Sequence, residues 1–397
     1  MVVLRFLALA YAAIAIALAA ARPVATAGPL ARDFEAYWSA GVTANAGDDP
    51  YSRRIWKAES SVAGVDRRRD EVLPFIGPPA TLLVWRPLAR LPYAAAAALW
   101  LTLLTIALLG LILGALYGSR ERITPTSFLA ATALAIAFGP ITSDLALGQI
   151  ALLAFAAATF FVTLVDRSLL AAAGAAVLAF AQPNLALGLT SQLGRVRALL
   201  AIAGGAAVTY GLGALALGLA WPLRYASAGL AHGAAERFVA IQITPAAVAY
   251  GFGLPPNIAW TFGIAVAAVA LAAGVALVFR VREPFARFAG CSALVPFVAA
   301  FVHEHDLLVA YVAALVCALR TRGATRVVGF SGTLLVCIDW LGLAQRPSGV
   351  GQSALLALAA AAGVRAQDRA LSYTTQQSEA GRTAYLASCA MCHGPHL

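Results

Sequence analysis

Residues 169–193 read LLAAAGAAVLAFAQPNLALGLTSQL, an apolar run broken at its middle by Gln182-Pro183-Asn184. An α-helix needs roughly 20 apolar residues to cross the hydrocarbon of a bilayer, so this run is long enough for one span. Proline at 183 removes a backbone donor and crowds the preceding turn, so the same run also reads as two half-helices that enter and leave on one side. The choice sets the side of every later loop. With a hairpin here and the N-terminus inside, thirteen loop arginines from Arg120 to Arg369 are cytoplasmic, and Arg224, Arg237 and Arg346 are outside. With a single crossing the split becomes six inside and ten outside. Short cytoplasmic loops carry the excess of Arg and Lys, so a re-entrant hairpin is expected. The polar stretch 22–92 stands outside both counts, because it exceeds the roughly 60-residue range in which the rule discriminates.

The rest of the chain has the same character. Of 397 residues, 61% are hydrophobic and 12% charged, and the mean hydropathy is +0.81. That is a membrane composition. The net charge is 28 − 18 = +10, and all the cations are arginine except Lys57. Arginines scattered over an apolar chain suit helix ends at lipid headgroups and argue against a nucleic-acid partner. Cys291, Cys317 and Cys337 lie in apolar runs, which excludes a secreted disulfide scaffold. Residues 1–21 could pass for a signal peptide; the apolar stretch Phe6 to Ala21 is read as a retained first helix.

Beyond the polar stretch 22–92, apolar segments recur at 93–118, 126–141, 148–165, 169–193, 198–219, 258–279, 288–302, 307–319, 327–344 and 350–364. The expected fold is all-α, with about ten or eleven spans and at least one broken or re-entrant helix. Residues 1–365 form the membrane domain, 22–92 its large extracytoplasmic loop, 366–377 a linker and 378–397 a separate tail. Under the hairpin topology the first loop, the stretch Ser143-Asp144 to Gln149, the Gln182 break, the loop 221–257 and His303-Glu304-His305-Asp306 all lie outside. Ionisable groups at membrane depth are costly and mark functional sites, although His303 to Asp306 also reads as a solvated turn. Asp33 opens the stretch DFEAYWSAG (33–41), where it is either a functional carboxylate or a helix N-cap.

Asp33-Phe34 with Tyr37 and Ala40, Asp49-Pro50-Tyr51, Gly77-Pro78-Pro79, Pro87 to Pro92, Trp100, Gly148-Gln149 and Asp306-Leu307 together resemble glycosyltransferase family 87 over about 30–345. The resemblance implies a polytopic enzyme of the C-type glycosyltransferase fold in a bacterial-type inner membrane. It also implies a polyprenyl-phosphate sugar, typically of mannose, as donor, a lipid or glycan acceptor, and chemistry on the extracytoplasmic side without a nucleotide cofactor. The residue chemistry fits. Inverting transfer from a lipid phosphate needs one base for the acceptor hydroxyl, for which Asp33 is the candidate. The departing phosphate needs donors or positive charge, for which Gln149, Gln182, Arg224, His303 and His305 are candidates, with Asp306 in the same site. Gln182 stands where the family often carries a lysine, Gly77 where an aromatic commonly precedes Pro-Pro, and His305 where a tyrosine commonly precedes Asp-Leu.

The tail carries a different signal, Gly381-Arg382 with Tyr385, then Cys389-Ala390-Met391-Cys392-His393. Cys-x-x-Cys-His is the attachment signature of haem c, with His393 as axial iron ligand, and the whole resembles the first helix of a class I cytochrome c over about 378–397. Four residues follow His393, and the only methionines are Met1 and Met391, so an incomplete haem module is expected. Alternatives are a zinc site from Cys389, Cys392, His393 and His396, or an inert tail. Arginine counting puts this tail inside, whereas haem c is attached outside. Two rival functions stand beside the transferase: a transporter, which inverted repeats would favour and none are found, and a membrane anchor for electron transfer, which would want histidine pairs within spans.

Overall fold

The computed structural model describes residues 31–65, 73–239, 242–323 and 326. Among them the secondary structure is entirely helical. The expected first helix, the segments 327–344 and 350–364, the linker and the tail motif lie outside the described residues.

Among the described residues, three helices are long and apolar enough to span: Tyr93–Gly118, Val196–Leu217 and Pro256–Arg280. The first has 26 residues, about 39 Å at 1.5 Å per residue, more than the hydrocarbon thickness. A fourth candidate is the pair Pro125–Ala137 and Gly139–Leu147, bent by 69° at Phe138. Pro140 falls in the first turn of the second half, where its missing donor costs nothing. The faces of Val196–Leu217 and Pro256–Arg280 expose Leu200, Leu215, Val269, Leu271 and Phe279, as lipid-facing helices do. The chain is therefore a polytopic helical membrane protein. The remaining apolar segments are shorter than a straight span because Gly, Pro and polar residues interrupt them: Ala151–Leu164, Leu169–Ala179, Pro284–Leu294 and Ala310–Arg320.

The segment 169–193 resolves as Leu169–Ala179, a break at Phe180 to Gln182, the short helix Pro183–Ala186 and a 3-10 stretch Leu187–Gln192. Its two ends meet. Arg195 pairs with Asp166, and Arg197 Nε donates to the Val165 carbonyl at 3.1 Å. The segment therefore enters and leaves on one side, as arginine counting expects. Leu169–Ala179 packs between Ala151–Leu164 and Val196–Leu217. Gly205 permits the approach to the latter, since a Cβ there would lie 2.6 Å from Ala176 Cβ. Ala151–Leu164 is largely buried, and at its start the buried Asp144 Oδ2 accepts from Leu152 N at 3.0 Å.

The described part of the first loop is itself folded. Phe34–Asn45 packs on Leu82–Leu88 and on the start of Tyr93–Gly118. Tyr37 stacks on Trp85 with centroids 4.9 Å apart, and Trp85 meets Trp100 edge-on at 4.8 Å. Tyr51, in the Asp-Pro-Tyr turn, stacks on Phe75 and donates its hydroxyl to the Gly77 carbonyl at 2.8 Å. Burial of this aromatic cluster fixes the loop over the membrane helices.

Candidate active site

A cavity of about 250 Å³ is lined by Asp33, Gln149, Gln182, His303, His305 and Asp306, six of the seven candidate site residues of the membrane domain. Arg224 is exposed on the helix Trp221–Ala235 and is not among the lining residues. Arg32 lines the cavity instead. Cys389, Cys392 and His393 lie outside the described residues.

Asp33 precedes the helix Phe34–Asn45 but makes no side-chain cap bond. Its backbone N–H donates to the Leu147 carbonyl at 2.9 Å, and its Oδ2 accepts from Gln149 Nε2 at 2.6 Å. Gln149 Oε1 in turn accepts from the Tyr37 hydroxyl at 2.5 Å. Burial raises the Tyr37 phenol well above its ordinary pKa, with the Asp33 and Asp144 charges adding, so it stays a donor. The carboxylate is thus aimed by an amide that a phenol orients.

Gly148 makes this geometry possible. It ends Gly139–Leu147 in the left-handed region at φ 70°, and a Cβ there would lie 2.8 Å from Ala31 Cβ and 3.0 Å from Phe34 Cβ. Only glycine tolerates both the turn and the approach. Trp100 Nε1 donates to the Gly148 carbonyl at 2.8 Å and holds the turn from below.

The segment His303 to Asp306 forms another part of the lining. Asp306 is buried; its Oδ2 accepts from His303 N at 3.0 Å and its Oδ1 from Asn184 Nδ2 at 3.3 Å. The break in the hairpin is therefore joined to the His-Asp segment. His303 Nε2 lies 3.1 Å from Glu236 Oε2, and His232 Nε2 lies 3.3 Å from the same oxygen. Gln242 Nε2 donates to Glu236 Oε2 at 2.8 Å, while its Oε1 accepts from Val302 N at 2.9 Å. Burial by itself would raise Glu236, but the His232 and His303 contacts overrule it and hold its carboxyl well below the usual range. Burial pulls His303 down, yet the Glu236 bond and the Asp306 and Asp33 charges outweigh it and leave the imidazole above its ordinary pKa. His305 is lowered, chiefly by burial.

His303, His305 and Asp306 offer possible metal-ligand atoms all within 4.8 Å of one another. Both Asp306 oxygens and His303 Nε2 are already engaged by hydrogen bonds, so the set reads as a hydrogen-bonded network. Tyr37, His232, Glu236 and Gln242 were not singled out as site residues from sequence. The signals were available: Tyr37 belongs to the motif that carries the family resemblance, and His232, Glu236 and Gln242 lie in the loop 221–257 that the hairpin topology places with the other polar elements.

A second, apolar cavity of about 170 Å³ adjoins the first, lined by residues such as Leu83, Val84, Leu178 and Leu212. The two share Thr81, Trp85, Ile150 and Ala181 as common walls. A polar pocket holding a fixed carboxylate thus lies beside an apolar groove in a polytopic helical membrane protein. The family model of glycosyltransferase family 87 matches residues 75–303, and the chain belongs to that family. It is thus a membrane glycosyltransferase. Gln149, Gln182, Glu236 and His303 fall within the matched range, and Asp33, His305 and Asp306 flank it. No curated protein and no solved structure matches the chain.

Proposed function

We propose that the chain moves a hexose, mannose as the leading candidate, from a polyprenyl-phosphate donor to a hydroxyl of a lipid or glycan acceptor at the extracytoplasmic face of a bacterial-type plasma membrane. The observation that carries this reading is the shared wall between the carboxylate-bearing cavity and the apolar groove. The groove suits an isoprenoid chain, and the cavity suits the phosphate and sugar.

Asp33 takes the proton from the acceptor hydroxyl as its oxygen bonds to the anomeric carbon. The bond from that carbon to the phosphate oxygen breaks, and its electron pair leaves with polyprenyl phosphate. A phosphate leaving group needs little protonation, so one positioned carboxylate suffices where a glycosidase needs two. The negative charge left on the phosphate is met by His303, the Gln182 amide and Arg32, all of which line the cavity. In the tail, Cys389, Cys392 and His393 form a separate candidate, covalent attachment of haem c, tested by a haem stain of the chain and of its Cys389→Ala, Cys392→Ala variant.

The donor class is tested with the purified chain in detergent, supplied in parallel with polyprenyl-phosphate mannose, polyprenyl-phosphate glucose and the corresponding nucleotide sugars. Transfer from a polyprenyl phosphate alone is expected. Transfer from a nucleotide sugar in the absence of lipid carrier would overturn the reading.

A further inference from the structure

We infer that Glu236 is a positioning residue that keeps His303 cationic opposite the lipid phosphate, through a carboxylate shared between His303 and His232 and anchored by Gln242. The inference rests on the polyprenyl-phosphate reading above. Its basis is geometric. Glu236 follows the last residue of the helix Trp221–Ala235, and its Oε2 lies within 3.3 Å of His232 Nε2, one helical turn back. The same oxygen lies 3.1 Å from His303 Nε2, which arrives from a different segment. Gln242 cannot rotate freely, because its Oε1 is held by Val302 N and its Nε2 by Glu236. The same Nε2 lies 2.9 Å from His303 Nε2, to which it donates when the ring is neutral, so the cationic ring turns its Nε2–H to Glu236 and leaves Gln242 to Glu236 as well. Phe301 packs edge-on against the His232 ring at 5.1 Å and limits its movement. All of His232, Glu236 and His303 line the cavity.

A half-buried carboxylate lying between two imidazoles favours the protonated form of its partner. A cationic His303 is worth most to the reaction as the phosphate leaves, when negative charge builds in the cavity. Glu236 touches neither the sugar nor the phosphate in this scheme. It acts through His303.

The groups that face His303 from each neighbouring element are few enough to name. Glu236 and His232 come from the helix Trp221–Ala235 and its end, and Arg32 and Asp33 from the segment before Phe34–Asn45. Its own segment contributes Glu304, His305 and Asp306. Asp33 and Asp306 also favour the cation, so removing Glu236 weakens the effect without abolishing it.

The test is the pH dependence of binding of polyprenyl phosphate, without sugar, to the full chain in detergent micelles. Wild type, Glu236→Gln and His303→Gln are compared. Titration of the phosphate itself is common to all three and cancels in the differences. Binding by wild type is expected to fall on the alkaline side as His303 loses its proton. In Glu236→Gln that limb moves to lower pH by roughly one unit, the size of shift a single close opposite charge produces. His303→Gln lacks the limb. Should Glu236→Gln fail to fold, Glu236→Asp, whose shorter carboxylate sits farther from His303, gives a smaller shift in the same direction. An unshifted limb in the Glu236 variants, or a limb retained in His303→Gln, overturns the inference while leaving the donor reading intact. Failure of every chain, wild type included, to bind polyprenyl phosphate overturns both.

Discussion

Gln149 donates its amide to the Asp33 carboxylate at 2.6 Å across 116 residues of sequence, with the acceptor end of the same amide held by Tyr37. A carboxylate that spends one oxygen on a fixed donor has the other directed at the cavity and lacks the freedom of a surface acid. Asp33→Asn keeps the shape and the possibility of a bond to Gln149 while removing the base. Expression and thermal stability should stay close to wild type, and sugar transfer should fall by about 10²-fold or more, the usual worth of a general base. Turnover within a few-fold of wild type would remove Asp33 from the mechanism.

Gln149→Ala leaves Asp33 in place but unaimed, and should lower kcat more than it raises KM, because it disturbs the position of the reacting group. Tyr37→Phe removes only the outer bond of the chain, leaving Gln149 with a buried acceptor to satisfy elsewhere, and should cost about 1–3 kcal/mol of stability. Parallel kinetics and thermal unfolding of the two variants check this order of effects; an equal loss of kcat in both would place Tyr37 in the reaction itself.

Gly148→Ala should be among the most damaging single-methyl additions in the chain. It meets a left-handed backbone and two contacts at or below 3.0 Å, with Ala31 and Phe34. Strain of this kind costs on the order of 1–3 kcal/mol, and its relief would push the first loop off the Gly148-Gln149 turn. A lowered unfolding temperature together with lost transfer is expected; an unchanged unfolding temperature would show that the loop has room to retreat.

The hairpin makes a prediction about sides. Arg167→Cys and Gly194→Cys, each placed in a chain cleared of its native cysteines, flank the two ends that Arg195 and Arg197 hold together. Both should react with an impermeant thiol reagent from the same side of sealed vesicles, and Asp48→Cys from the other. Labelling of positions 167 and 194 from opposite sides would refute the re-entrant topology.

The membrane class, the helical fold, the presence of a break beside Pro183 and the candidates Asp33, Gln149 and His303 to Asp306 were all legible in the sequence. Each is a local matter: apolar runs dictate burial in lipid, proline interrupts a helix, and polar groups within such runs are too costly to be idle. Arginine counting also reached the hairpin before the Arg195 and Arg197 contacts displayed it, because charge placement at helix ends follows the orientation of the chain. Arg224 shows the limit of that reasoning. A cation in an outside loop is a reasonable phosphate contact by charge, yet it lies eight residues before His232 on one helix, about 12 Å along the axis, and remains exposed. The partners of the site were decided only in three dimensions. That Asp33 is aimed by Gln149 and makes no side-chain capping bond, that Tyr37 orients that amide, and that Glu236 joins His232 to His303 all depend on segments distant in the chain packing to within hydrogen-bond range. Sequence pattern records the cost of placing a polar group in an apolar setting, but the group that offsets that cost is chosen by the packing of whole helices, and no local periodicity encodes it.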